Sequence, residues 1–147
     1  MLESIKSLFA DPGDKPRFAD DDYRIAAAAL LVHAATVDGD LSDAERDKLH
    51  VLVKQRFALD DAAAEELIGK AVAADRDAID LFQFTARLNR MLDEPGRARV
   101  IEMMWQIVFA DGTVSEFEDN LIWRAADLLH ISRNERIALR ERVAGAR

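Results

Sequence analysis

A short segment that occurs twice limits the number of folds that this chain of 147 residues can adopt. Residues 38–45 read DGDLSDAE, and residues 111–118 read DGTVSEFE. Each copy follows a stretch that is apolar on every side and precedes an amphipathic stretch, which is the pattern of two helices joined by a short loop. One such unit alone would leave its apolar helix exposed. We therefore expect the two halves of the chain to cover each other's central helix.

Helix-breaking and capping residues divide the chain into seven predicted helices. Alanine is abundant, whereas glycine occurs six times and proline three times, which favours helices over a sheet. The helices are predicted to begin near Asp21, Ser42, Asp60, Asp77, Asp93, Ser115 and Ser132. The first and the fifth are apolar on nearly every side and should be central. We predict an all-α seven-helix bundle over residues 20–147 with an internal pseudo-two-fold repeat.

Large apolar side chains at helical spacing indicate the core of this bundle. Ile79 and Phe82 are assigned to the apolar face of the fourth helix, and Phe117 to that of the sixth. Trp105 and Trp123 flank the second copy of the repeated segment, and both are predicted to lie in the core.

Residues 1–19 are predicted to form a short amphipathic helix and a linker. Leu2, Ile5, Leu8 and Phe9 recur at helical spacing, and prolines at positions 12 and 16 interrupt the chain after them. The short helix can dock on the body, on another protomer or on a membrane surface. Docking on protein is the favoured interpretation, because a single lysine within residues 1–9 gives little attraction to anionic lipid.

Composition excludes several classes of function. Twenty basic against 28 acidic residues give a net charge of −8, which argues against nucleic-acid binding because such binding needs a basic face. The absence of cysteine rules out disulfides, thiolate catalysis, zinc fingers and iron–sulfur clusters. We recognise no secretory signal, and the apolar stretch over residues 25–37 is too short to span a membrane. We expect a cytoplasmic protein.

Helix capping alone explains most of the repeated segment. Ser42 and Ser115 are predicted N-caps, and Glu45 and Glu118 at the third helical position would complete a capping box in each copy. The glycine of each copy stands where the end of a helix favours a positive φ angle.

Asp38 and Asp111 are not explained by capping. Each carboxylate follows the last turn of a helix, where the negative end of the dipole makes it unfavourable by about 0.3–1 kcal/mol. Two explanations remain open. One is an Asx-turn to the loop backbone, and the other is a positive group near the loop, either a hard cation or a basic residue of a partner. The segment is too short for an EF-hand, whose loop has twelve residues.

Acidic residues are concentrated around the two copies. Residues 38–47 hold five acids and one arginine, and residues 111–119 hold four acids and no base, so each segment carries a net charge of −4. Residues 131–147 hold five arginines and two glutamates, a net charge of +3. If the fold brings the two loops together, they form one acidic surface that would steer a basic partner.

Two Asp-Gly loops of this kind, in an acidic helical chain of this size, resemble the TerB tellurite-resistance family and the related N-terminal domain of DjlA-type co-chaperones. The resemblance covers the chain from Asp20 to Val143. It implies a seven-helix fold with acidic residues near the loops that are suspected of binding a metal or a partner. Transferred position by position, these are Asp38, Asp40, Glu45, Asp111, Glu116 and Glu118. Thr113 occupies the position of Asp40 in the second copy, which argues against two equivalent metal sites.

Two functions from different classes follow. The first is a non-enzymatic interaction module of a tellurite or stress response, which contacts a protein partner with a basic surface through the acidic loops. The alternative is a sensor or buffer of divalent cations, Ca²⁺ or Mg²⁺. An enzyme is not expected, because the chain offers no recognisable nucleophile, phosphate loop or metal triad. A homodimer stays open, and membrane association is expected only through residues 1–9.

Overall fold

The computed structural model describes residues 17–110 and 112–145. Within these ranges the chain forms seven helices and no strand, which confirms the predicted all-α class. The helices are α1 (Tyr23–Thr36), α2 (Asp43–Phe57), α3 (Asp61–Asp77), α4 (Phe82–Met91), α5 (Glu94–Val108), α6 (Glu116–Leu128) and α7 (Arg133–Gly145). The helix predicted over residues 1–9, most of its linker and Asp111 lie outside the described residues.

Helices α1 and α5 form the centre of the bundle, as their all-round apolar composition predicts. α1 packs against α2, α3, α4, α5 and α6, and α5 packs against α1, α2, α6 and α7. The four alanines at positions 26–29 are at most 1% exposed, and α5 contributes larger buried side chains such as Ile101, Met104 and Trp105. The small side chains of α1 therefore pack against larger side chains of the other helices. This combination of small and large side chains gives a densely packed core.

The fourth helix begins five residues later than predicted. α3 continues as far as Asp77, the predicted start of α4, and the chain then turns before Phe82. The Asp80 carboxylate accepts a hydrogen bond of 2.9 Å from the Phe82 backbone N–H, so Asp80 rather than Asp77 supports the start of this helix. Ile79 consequently lies in the turn with 97% of its surface exposed, and its assignment to the apolar face of the fourth helix was wrong.

Several predicted core positions are more exposed than expected. Phe82 is 63% exposed and Phe117 is 66% exposed, so neither belongs to the core. Trp105 is buried as predicted, whereas Trp123 is only half-buried. The apolar periodicity predicted these helices correctly. It did not predict which of their apolar side chains are covered by neighbouring helices.

None of the helices within the described residues is both long enough and apolar enough to cross a membrane.

Candidate functional site

Both copies of the repeated segment start a helix with a complete capping box. The Ser42 hydroxyl accepts from the Glu45 N–H at 3.1 Å, and the Ser42 N–H donates to Glu45 Oε1 at 3.0 Å. The corresponding distances between Ser115 and Glu118 are 3.1 and 2.8 Å. The predicted capping boxes are confirmed, and they fix the backbone and one carboxylate of each loop in the same local geometry.

The turn before each capping box is also similar. Gly39 has φ +153° and Gly112 has φ +92°, and both angles disfavour an L side chain. The Gly39 N–H donates to the Thr36 carbonyl at 3.2 Å, and the Gly112 N–H donates to the Phe109 carbonyl at 3.0 Å. Each glycine therefore reverses the chain directly after the last turn of a central helix.

Electrostatic repulsion connects the two loops through Glu118. This side chain is 4% exposed, and its burial raises its pKa above the usual value for a glutamate. Repulsion from Asp38 and Glu45 raises the pKa further, while the Ser115 N–H acts in the opposite direction. Asp38 and Glu45 belong to the first loop and its helix, and Glu118 belongs to the second. Asp38 and Glu45 therefore lie close enough to Glu118 for their charges to raise its pKa.

The six acidic positions singled out from the sequence differ in their surroundings. Glu45 and Glu118 are buried, whereas Asp38, Asp40 and Glu116 are exposed. No hydrogen bond joins the Asp38 carboxylate to another described residue, so the Asx-turn that would have explained this residue is not formed within the described part of the chain. The structure brings together Asp38, Glu45 and Glu118, and Asp111 lies outside the described residues. The described residues alone contain no group of three or more acidic or histidine side chains arranged to hold a metal ion.

An arginine on α7 contacts the elements next to the second loop. The Arg140 guanidinium lies 5.1 Å from the ring centroid of Trp105 and 5.5 Å from that of Phe109. Its Nε donates to Asp119 Oδ1 at 3.2 Å. Asp119 in the second acidic segment therefore forms an ion pair with Arg140. The sequence indicated only the positive net charge of residues 131–147 and did not predict this contact.

A groove of about 640 Å³ opens beside the loops between α2, α5 and α7. Its lining combines apolar side chains such as Val51 and Val143 with the charged side chains of Asp47, Lys48, Glu102 and Arg142. Val51 is 45% exposed there. Periodicity could not reveal this groove, because it arises from the gap between α2 and α7, which are far apart in sequence.

These features define a structural class: an all-helical bundle with two Asp-Gly loops, each followed by a capping box with a buried glutamate. The family model described as tellurite resistance protein TerB matches residues 24–141. The chain belongs to the TerB family, which confirms the resemblance seen in its loops. No curated protein and no solved structure matches the chain.

Proposed function

We propose that this chain is a non-enzymatic interaction module of the TerB family, acting in a tellurite or stress response. Its contact surface would be the acidic end formed by the two Asp-Gly loops, and its partner would present a basic surface. The single observation that supports this proposal most strongly is the repulsion of Glu118 by Asp38 and Glu45. Asp38 and Glu45 of one half of the chain act on Glu118 of the other half, and among the described residues no ion pair joins any of the three to a basic side chain.

The surroundings of Asp38 favour a positive partner. Its exposed carboxylate follows the C-terminal end of α1, where the helix dipole is negative and favours cations. Arg140 offsets the charge of Asp119 beside the second loop, but no such ion pair forms at Asp38 among the described residues. A basic side chain from a partner would relieve the repulsion at the first loop and at Glu118 together.

The groove between α2, α5 and α7 supports a protein partner in particular. Buried apolar contact at the centre and charged contact at the rim is the usual anatomy of a protein interface. The exposed side chain of Val51 and the apolar wall at Val143 would receive apolar groups of the partner, while the acidic loops next to them would receive its basic groups.

A divalent-cation sensor or buffer is the alternative. The described residues alone form no group of three side chains arranged to hold a metal ion, so this function would also need Asp111 as a ligand. Oxygen ligands are what Ca²⁺ and Mg²⁺ prefer. Glu45 and Glu118 each use Oε1 in a capping box, which leaves Oε2 of each side chain and both oxygens of Asp38 for a cation. Loop carbonyls and water would have to supply the remaining ligands.

Charge reversal at the acidic end tests the interaction module. We would compare the proteins captured by the wild-type chain with those captured by the double variant Asp38→Lys, Asp111→Lys. The matched control is Asp21→Lys, Glu94→Lys, which makes the same charge change near the N-terminal ends of α1 and α5. We expect the first variant to lose a captured protein that the control retains. Undiminished capture of every protein by the Asp38 and Asp111 variant would contradict the proposal.

A metal titration separates the two candidate functions. Calorimetry and tryptophan fluorescence would follow the addition of Ca²⁺, Mg²⁺ and Mn²⁺ to the wild-type chain, to Asp38→Asn and to the control Glu94→Gln. The interaction module predicts no heat and no fluorescence change at millimolar ion. Saturable binding that Asp38→Asn weakens and Glu94→Gln leaves intact would instead establish the cation site.

A further inference from the structure

A second groove lies where the described part of the chain begins. It has a volume of about 600 Å³ and is bounded by Ala19, by Tyr23 at the start of α1, by Phe57 at the end of α2 and by Met91 at the end of α4. Met91 is 60% exposed there. Tyr23 and Phe57 meet edge to face, with ring centroids 6.2 Å apart, and form an aromatic wall.

This groove continues towards α5. A smaller cavity of about 260 Å³ shares Tyr23 and Phe57 with it and extends to Val100 and Met103. The two spaces together form an elongated depression, which we call the entry groove. Aromatic and aliphatic side chains line it together with the charged side chains of Asp21, Asp22, Arg24 and Arg56. Exposed apolar surface of this kind usually marks a place where another element packs.

We propose that residues 2–9 of the same chain pack their apolar side chains into the entry groove. Leu2, Ile5, Leu8 and Phe9 occur at the spacing that places them on one face of a helix. Such a face needs an apolar partner, and the entry groove is lined by aromatic and aliphatic side chains of matching character. The proposal is independent of the function assigned to the acidic loops.

The position at which the described chain starts favours the entry groove, rather than the groove beside the loops, as the docking site of residues 2–9. Arg17, the first described residue, is two residues from Ala19 in the groove wall. A linker formed by residues 10–16 spans at most about 23 Å when fully extended. The groove beside the loops lies towards the other end of α1, a helix of 14 residues that is about 21 Å long. The linker would have to be almost straight to cover that distance.

The short linker also makes weak docking sufficient. A tether of this length gives an effective concentration in about the millimolar range. Residues 2–9 carry one acid and one base, and the groove is lined by two acids, Asp21 and Asp22, and two bases, Arg24 and Arg56. Neither partner has a net charge that would oppose the contact or draw the segment to an anionic membrane instead.

The absence of cysteine from the chain allows a direct distance measurement. Ser7 is predicted to lie on the polar face of the segment, and Ser7→Cys would accept a single nitroxide label. We expect the label to broaden the NMR signals of the backbone amides at Ala58, Met91 and Gly96. The amides near Val143 should stay sharp.

Two substitutions on α4 form a matched pair for this measurement. Met91→Asp places a charge in the entry groove, and Phe82→Asp places one at the opposite end of the same helix on a side chain that is 63% exposed. Both are surface changes, and circular dichroism checks that both variants fold. We expect Met91→Asp to remove most of the broadening and Phe82→Asp to retain it.

Four results would overturn the proposal. The first is no broadening at the entry groove in the labelled chain. The second is equal broadening in a mixture of two kinds of chain, one that carries the nitroxide at natural isotope content and one that is enriched in ¹⁵N and carries no nitroxide. Such broadening would show docking between copies of the chain. The third is broadening that survives Met91→Asp. Adding vesicles of anionic lipid tests the membrane as a competitor, and loss of the broadening with binding to the vesicles would count against docking on the chain.

Discussion

The two Asp-Gly loops have nearly the same local structure and different surroundings. Each has a glycine at positive φ and a complete capping box. The second loop follows Trp105 and Phe109, on which Arg140 stacks while it binds Asp119. The first loop follows small side chains of α1, and its acidic residues Asp38 and Asp40 are exposed. Local sequence therefore determines the shape of a loop, whereas the packed neighbours determine how much of its charge remains unpaired.

The largest expected effect comes from removing the aromatic support of the second loop. Trp105 is 1% exposed, so Trp105→Ala is expected to lower the free energy of unfolding by about 3–5 kcal/mol. Trp123→Ala serves as the control, because this half-buried side chain should cost clearly less. Urea denaturation of both variants measures the difference. Equal losses of unfolding free energy in the two variants would contradict the role of Trp105 as the aromatic support of the second loop.

The two N-caps should contribute equally, because their hydrogen bonds are alike. Ser42→Ala and Ser115→Ala are each expected to destabilise the protein by about 1 kcal/mol, through loss of the bond to the Glu45 and Glu118 N–H groups. Thermal unfolding of the two variants under identical conditions checks this. A difference of more than about 1 kcal/mol between them would mean that the surroundings, and not the capping box, dominate at one of the loops.

Neutralising Glu118 should have a smaller effect that depends on pH. Because burial and repulsion raise its folded-state pKa, Glu118 binds its proton more tightly in the folded protein than in the unfolded chain. Its favourable contribution to folding is present at low pH and is lost as the pH rises through the raised pKa. Glu118→Gln should therefore gain stability relative to wild type as the pH rises above about 4.5.

Denaturation of the two proteins at a series of pH values measures this gain. Glu94→Gln is the control, because Glu94 is exposed at the start of α5. A stability difference between wild type and Glu118→Gln that is constant with pH would contradict the raised pKa.

Capping residues made much of the fold predictable from the sequence, and the errors have a common cause. The starts of α2, α5 and α6 could be located because Ser or Asp stands at the N-cap with a short-range hydrogen bond to its own helix. The start of α4 was misplaced because Asp77 and Asp80 are both suitable local acceptors, and only packing decides between them. The exposure of Phe117 and the contacts of Arg140 likewise depend on elements distant in sequence.

The candidate site was predictable only in part for the same reason. The duplicated pattern identified Asp38, Glu45 and Glu118 as residues of interest, and each loop could be understood from its own eight residues. The sequence could not predict whether these three residues lie close together, because their proximity depends on how α1 and α5 pack against each other in the bundle. The groove between α2 and α7 has no local sequence signal at all.

The electrostatic coupling of the two loops can be tested directly by measuring the pKa of the Glu118 carboxyl with ¹³C NMR in wild type and in Asp38→Asn. Removing the charge of Asp38 removes one source of repulsion, so the pKa of Glu118 should fall in this variant. It should stay unchanged in the control Glu94→Gln. An unchanged Glu118 pKa in Asp38→Asn would contradict the proposal that the two loops share one acidic surface.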